Sequence, residues 1–280
     1  MSRDIERISL TIDKDILDKV DKVVDGTTIK NRSHAIEMLL MKSLGPKLSK
    51  AIILCGGKGT RFRPITYEIP KALIPVHGKP IISHILDLFK KYQIMEIYLS
   101  VGYLKDRVKE RFGDGSKLGF SIKYVEEDEP LGTAGFLRLV SDIDSDFIVS
   151  NGDELKDINI EEMYKIHREN NALVTIALTT VSDPSAYGVA KLDGNKILDF
   201  VEKPKKGEEP SNLINAGFYI ISPEVMKMIP KGFAMFEKDV FPKIAKMGRL
   251  YGYMFGGQWF DIGTPERYEI ALKKWKGVSK

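Results

Sequence analysis

The run Leu54-Cys55-Gly56-Gly57-Lys58-Gly59-Thr60-Arg61 follows directly on a short apolar segment, Ala51–Cys55, with Arg63 and Lys71 close behind. Glycines at such a turn let the main chain approach a phosphate, and successive N–H groups form an anion-binding nest. Two cations within fifteen residues of that nest, Arg61 and Lys71, suit the tail of a triphosphate. The run lacks the Gly-Lys-Ser/Thr ending of a Walker loop, and no second glycine pair completes a dinucleotide fingerprint, which disfavours a nicotinamide-dependent enzyme. Carboxylates recur in two later contexts, Asn151-Gly152-Asp153 and Trp259-Phe260-Asp261-Ile262-Gly263. The plainer alternatives are that Asp153 caps a turn over Glu154–Asp157 and Asp261 caps a helix starting at Pro265. His34, His77, His84 and His167 pair with neither Cys55 nor a serine in recognisable spacing. They read as structural, and Cys55 as a small buried hydrophobe.

The elements that must position these groups alternate. Apolar strand runs Ala51–Cys55, Ile97–Val101, Phe120–Val125, Phe147–Ser150 and Val174–Leu178 are interleaved with amphipathic stretches. Those stretches are Ile81–Tyr92, Lys105–Phe112, Ala134–Val140 and Ile160–Asn170, and the alternation predicts an α/β fold with a Rossmann-like, mixed, doubly wound sheet. Val189–Leu192 and Ile197–Val201 flank Asp193-Gly194 as a hairpin, and a last helix covers about Pro265–Lys276. The 280 residues are 43% hydrophobic and 29% charged with a net charge of +4, which excludes a disordered chain. One cysteine excludes a disulfide framework and a multi-Cys zinc site. Apolar runs stop well short of the roughly 18 residues a membrane span needs. A charged start, Met1–Glu6, is unlike a secretory leader, so a cytoplasmic setting is expected.

A seam falls near residue 50. Residues 1–45 read as one small domain, 46–50 as a linker after the helix stop Gly45-Pro46, and 51–280 as a larger domain. In the small domain Ile8, Leu10 and Ile12 alternate with Arg7, Ser9 and Thr11 as in a half-buried strand. Asp13 caps a helix over Lys14–Val24, and a second helix carries Ala35, Ile36, Leu39, Leu40 and Leu44. One strand and two short helices cannot close a core, so two copies must pair their strands. This order resembles the ribbon-helix-helix family of DNA-binding dimers. The resemblance implies that Arg7, Ser9 and Thr11 lie in the major groove and that Arg32 and Ser33 meet phosphate. Residues 1–50 hold ten Lys and Arg against eight Asp and Glu, a weak footprint for DNA, so dimerisation alone stays open.

The larger domain resembles the sugar-1-phosphate nucleotidyltransferases. Its markers occur in the family's order: Gly56–Pro64, Pro70–Pro80, Pro130-Leu131-Gly132-Thr133-Ala134-Gly135, Asn151-Gly152-Asp153, Glu202-Lys203-Pro204, Asn215-Ala216-Gly217 and Trp259–Pro265. The left-handed β-helix frequent at the C-terminus of this family is not expected, nor a second, acyltransferase activity. The resemblance implies a nucleotide site at Leu54, Gly56, Gly57, Gly59, Thr60, Arg61, Lys71, Glu127, Gly132 and Thr133. Arg61 and Lys71 would hold the β- and γ-phosphates, Asp153 and Asp261 would bind Mg²⁺, and Lys203 would grip the sugar phosphate. Glu202, Asn215 and the Gly188 main chain would bond sugar hydroxyls. The implied reaction is attack of a sugar 1-phosphate on the α-phosphorus of a nucleoside triphosphate, releasing pyrophosphate, with Arg61, Lys71, Asp153 and Lys203 as the catalytic set.

Five residues before Gly132, Glu127 stands where the family reads the base. A carboxylate only accepts, and guanine offers adjacent N1–H and N2–H donors, whereas uracil and thymine offer a single N3–H that suits a Gln amide. GTP is therefore expected over UTP or dTTP, against the plainer reading that Glu126–Glu129 is a solvated acidic run. Mannose 1-phosphate is the sugar the resemblance implies, with a manno-heptose phosphate or glucose 1-phosphate open. Two functions follow: a guanylyltransferase that is a homodimer or dimer of dimers and binds promoter DNA, or a regulator using the large domain as a nucleotide sensor.

Overall fold

The computed structural model describes residue 6 and residues 8–27, 29–44 and 48–279, with the main chain alone for 41–44. Two compact units, Met1–Lys47 and Leu48–Lys280, divide the chain. In the first, α1 (Lys14–Asp21) begins at Asp13, whose carboxylate accepts from the Asp15 N–H at 2.9 Å. It ends before the expected Val24 because the next N–H groups, Val23 and Val24, bond three residues back and tighten the turn. Helix α2 (Arg32–Leu44) follows, capped by Asn31 accepting from His34 N–H at 2.9 Å, and Val20 and Ala35 are buried.

The expected strand through Ile8, Leu10 and Ile12 does not form in the single chain. A strand exists only against a partner, and the described part of this unit offers none. Of the groups expected to meet DNA, Arg7 lies outside the described residues, while Ser9, Thr11 and Ser33 are exposed. Arg32 is exposed too, but its guanidinium donates two 2.6 Å bonds to the Asp21 carboxylate.

The larger unit is built on one sheet, nine strands among the described residues. Strands β1 (Lys50–Leu54), β2 (Glu96–Val101), β3 (Ser121–Glu126) and β4 (Phe147–Asn151) are parallel in the order β3-β2-β1-β4. Lys50, expected in the linker, pairs with Glu96 and so belongs to β1. After β4 the short strand β5 (Glu154–Lys156) leaves the main sheet. Strands β6 (Val174–Thr180), β7 (Gly188–Asp193), β8 (Lys196–Glu202), β9 (Leu213–Ile221) and β10 (Leu250–Met254) complete the order as β4-β9-β6-β10-β8-β7. β9 runs antiparallel to both β4 and β6, so the sheet is mixed.

Alternation within each strand builds two cores. Ala51, Ile53 and Ile148 pack with α3 (Ile81–Lys91), α4 (Lys105–Phe112) and α5 (Ile160–Glu169) on one face. Ile52, Phe147 and Val149 join Phe136, Phe236 and Phe241 on the other. Both faces are covered, as the parallel part of the sheet requires. The helix expected over Ala134–Val140 is instead one turn, Gly132–Gly135, running into a tighter turn, Phe136–Leu139. The Ala134 and Gly135 N–H groups are taken by the Ala234 carbonyl, at 2.9 and 3.2 Å. The chain ends on β11 (Trp259–Asp261), which pairs with β5, and α6 (Pro265–Lys274).

One buried side chain ties these pieces together. Lys156 on β5 is fully buried and donates to the Gly217 carbonyl at 2.9 Å and the Ala216 carbonyl at 3.1 Å, both in the irregular middle of β9. Its ammonium also lies 3.1 Å from the Glu154 carboxylate. Removing one member of a buried pair strands the other charge at a cost of about 3–5 kcal/mol. Lys156→Met is therefore expected to lower stability by about that much in urea unfolding. Adding Glu154→Gln should return part of the loss, and an unchanged midpoint in the single variant would refute the role.

Candidate active site

In a sheet ordered 3-2-1-4 the connections from β1 and β4 depart in opposite directions, and the crevice beyond their carboxyl ends is the natural ligand site. Here that crevice is a cleft of about 910 Å³. The glycine run leaves β1 into it, and Asn151-Gly152-Asp153 leaves β4 into it. Gly59 sits at φ +59°, and a Cβ there would lie 2.8 Å from the Thr66 methyl, so the turn demands glycine. Thr66 fixes it by donating to the Gly59 carbonyl at 2.8 Å. The run therefore holds its N–H groups and Thr60 at the cleft, together with the exposed Lys58 and Arg61. Neither of those two cations is paired with a carboxylate among the described residues.

Lys71, at the start of a tight turn after Pro70, lines the cleft beside Gly59 and donates to Asp153 Oδ2. Burial raises the Asp153 carboxyl, but the Lys71 ammonium more than reverses this and leaves it below the usual carboxylate range. Asp153 is thus engaged by a cation rather than capping a turn, and the residues after it form β5. Asp261 arrives by the β5–β11 ribbon, where it stands opposite Glu154, and the Ile262 N–H donates to the Asp153 carbonyl at 3.1 Å. Both carboxylate-bearing residues therefore lie at one corner, with Gly263 lining the cleft. Asp261 does not cap α6, a task Thr264 performs. Its carboxylate instead accepts from Arg267 and from the Tyr187 hydroxyl, the latter at 3.4 Å.

At the cleft the acidic run divides. Glu126 pairs with Lys105 and Lys109. Glu127 turns inward, accepting from Ser100 Oγ at 2.6 Å and from the Leu131 N–H at 2.9 Å. Those bonds pin the carboxylate beside the Gly132 turn and leave lone pairs for a ligand. Gly132, at φ +79°, has no room for a side chain, because a Cβ would meet the Ala234 carbonyl. Thr133 donates to Glu237 at 2.6 Å and accepts from the Phe236 N–H at 3.0 Å.

Gly188, Glu202, Lys203 and Asn215 form a second wall that is not part of the lining of that cleft. Gly188 opens β7 opposite Glu202 at the end of β8. Lys203 follows at φ +48°, largely exposed, with its ammonium 3.7 Å from Glu202. Asn215 on β9 donates to the Tyr219 hydroxyl at 2.9 Å and accepts from the Gly217 N–H at 2.9 Å. Glu237 links this wall to the cleft, since it bonds Thr133 and its charge acts on Glu202 and Tyr219. Burial and the Glu237 charge raise the Glu202 carboxyl above its ordinary value.

Cys55 and the three histidines of this unit make structural contacts. Cys55 is buried, which pushes its thiol up. His84 sits between the Val76 carbonyl at 2.9 Å and the Trp275 indole N–H at 3.2 Å, His77 holds the Leu272 carbonyl, and His167 meets Thr175.

A model of the nucleotidyl transferase family matches residues 50–276. The chain belongs to that family. It is 38% identical to the mannose-1-phosphate guanylyltransferase catalytic subunit beta of Danio rerio over 230 residues, 80% of this chain and 63% of that protein. Over 224 residues it is 37% identical to the mannose-1-phosphate guanylyltransferase of Mycobacterium tuberculosis, 78% of this chain and 62% of the other. The chain thus spans less than two thirds of the length of these relatives. Its fold is similar to the crystal structure of HddC from Yersinia pseudotuberculosis complexed with GMP-PN, with a TM-score of 0.69 and 27% identity, covering 82% of this chain and 100% of that one.

In this nucleotidyl transferase several site residues escape the sequence pattern. Glu237, Tyr187 and Ser100 act on groups 27 to 104 positions away, and Arg267 on one 6 positions away. Only Tyr187 carried a hint, as the neighbour of Gly188. The Glu202–Glu237 repulsion has a measurable sign. A carboxyl raised in the folded state favours folding below its ordinary value of 4.5 and loses that contribution as pH rises through the raised value. Glu237→Gln is expected to move the Glu202 titration downward in carboxyl-resolved NMR and to weaken that loss above about pH 4.5; an unmoved titration would refute the coupling.

Proposed function

We propose that this nucleotidyl transferase joins GTP and mannose 1-phosphate to give a guanosine-diphosphate sugar and pyrophosphate. The observation that carries the reading is the convergence of a glycine nest, the unpaired Lys58 and Arg61, and the Lys71–Asp153 pair at the carboxyl ends of β1 and β4. Guanylyl specificity rests on Glu127, whose pinned carboxylate can take the two adjacent donors of guanine. The relatives named above act on mannose 1-phosphate by their names, which supports the sugar assignment.

The sugar phosphate is already an anion, so no residue need remove a proton. A phosphate oxygen attacks the α-phosphorus in line, the bond to the β-phosphate bridge breaks, and pyrophosphate departs with that electron pair. Arg61 and Lys71 hold the departing phosphates, and the main-chain N–H groups after β1 orient the tail. Lys203 draws in the sugar phosphate, while Gly188, Glu202 and Asn215 bond its hydroxyls.

The two carboxylates fit Mg²⁺. No group of three or more His, Cys, Asp or Glu able to hold a metal occurs among the described residues. Asp153 and Asp261 would hold the ion, and phosphate oxygens and water would complete its shell, as this cation prefers. Lys71 and Arg267 already mark both carboxylates as cation sites. When bound, Mg²⁺ neutralises triphosphate charge and polarises the reacting phosphoryl group.

The small unit adds assembly. Ile8 and Leu10 are 68% and 56% exposed, an apolar strand face suited to the same segment of a second copy. Such a pair would present Arg7, Ser9, Thr11 and Ser33 to promoter DNA, with Arg32 joining only by leaving Asp21. No described helix is long and apolar enough to cross a membrane, and a cytoplasmic setting suits the substrates. Nothing in either unit favours the sensor alternative.

Pyrophosphate release is expected to need Mg²⁺ and to be fastest with GTP and mannose 1-phosphate within a panel of triphosphates and sugar phosphates. Asp153→Asn should cut kcat/KM by roughly 10²- to 10³-fold. No turnover of any pairing by folded protein would end the enzymatic reading. Light scattering gives the second check. Leu10→Glu should halve the measured mass, and an unaltered assembly would remove the ribbon.

A further inference from the structure

Phe233 is out of place for an apolar side chain. Among the described residues it is the one Phe or Trp left largely exposed, at 63%. It also lines the cleft, beside Gly132 and Met235. Its main chain is not loose: the Ala234 N–H donates to the Leu131 carbonyl at 2.9 Å, and the Ala134 N–H donates to the Ala234 carbonyl at 2.9 Å. The ring lies against Gly132, where a Cβ would come 3.3 Å from Phe233 Cε2. The same turn is fixed to Glu127 through the Leu131 N–H. A fixed Cα thus carries an exposed ring in the cleft, at the same turn that pins the acceptor Glu127.

We propose that Phe233 is a binding residue whose ring stacks on the nucleobase whose edge Glu127 accepts; the inference rests on the nucleotide reading of this cleft. A phenyl ring cannot bond phosphate or sugar hydroxyls, but every base presents a π-face to it. Glu127 then selects which base is held, while Phe233 sets how tightly any base is held. Closing the ring over a base removes from water an apolar surface that the free chain exposes.

Full-length Phe233→Ala, Phe233→Leu and Phe233→Trp test this by calorimetry with GTP and ATP in Mg²⁺, alongside the KM for mannose 1-phosphate at saturating GTP. The expected result for the alanine variant is about a tenfold weaker Kd for each nucleotide, equal to about 1.4 kcal/mol. Leucine should recover little, tryptophan should return the Kd to within about twofold of the parent, and the sugar KM should hold within about twofold. The stacking role is overturned by an unchanged Kd in the alanine variant, by a tryptophan variant as weak as alanine, or by a sugar KM that rises as much as the nucleotide Kd. Glu127→Gln separates the two readings. If it leaves base preference unaltered, the guanine assignment fails while the Phe233 result stands. If the parent binds no nucleotide, both fall.

Discussion

Everything at the cleft depends on one ion pair, Lys71 with Asp153. It joins two segments 82 residues apart across the gap between the β1 and β4 connections. A half-buried carboxylate without a partner would be costly or would protonate, and Lys71 keeps Asp153 charged. The pair therefore does two jobs. It makes a carboxylate tolerable in a partly desolvated site, and it keeps that carboxylate in the anionic form a divalent cation requires. Arg267 stands to Asp261 as Lys71 stands to Asp153. The corner is charge-balanced before any substrate arrives. The glycine turn is not, and its two unpaired cations define where further negative charge is welcome.

Support for that corner lies deeper, in a lysine no motif announces. Lys156 binds main-chain carbonyls of β9 beside Asn215 and a carboxylate next to Asp153, so β5 and β9 share one buried cation. Glu154 completes the link through Asn151 at 2.9 Å and the Trp259 indole at 3.1 Å. Burial holds the Glu154 carboxyl above its usual value; Lys156 opposes this, and Asp153 and Asp261 add to it. Such a network restrains the β5–β11 ribbon more tightly than a ribbon of three residues per strand would restrain itself.

The large unit was legible wherever one property of a strand decides its fate. The five apolar runs became five strands and the hairpin about Asp193-Gly194 formed; in β1, β2, β4 and β6 burial on both faces leaves continuous apolar runs little other choice. The glycine run was legible from its own composition, whereas Asp153 was singled out only by the family resemblance. What escaped was decided by distant partners. The helix over Ala134–Val140 was lost because its opening N–H groups bond Ala234, a carbonyl roughly a hundred residues away. Glu127 could not be told from Glu126 by type, only by the Ser100 hydroxyl and Leu131 amide that one of them finds. The strand expected in the small unit is not formed among the described residues, where no second strand pairs with it.

Those misses share a cause with the site's asymmetry. Charge at the phosphate end is placed by local sequence, through a glycine turn and cations a few residues beyond it. In the proposed function, selectivity for the base would rest on long-range contacts, in which Ala234 stitches the 131–135 turn and Leu131 pins Glu127. Binding a triphosphate tail is demanding in electrostatics but tolerant in geometry, so a short segment can encode it. Reading a base edge needs a carboxylate held to within a fraction of an ångström, and only a packed neighbourhood can hold it. For this reason the sequence of the cleft identifies the kind of ligand more readily than it identifies the individual base.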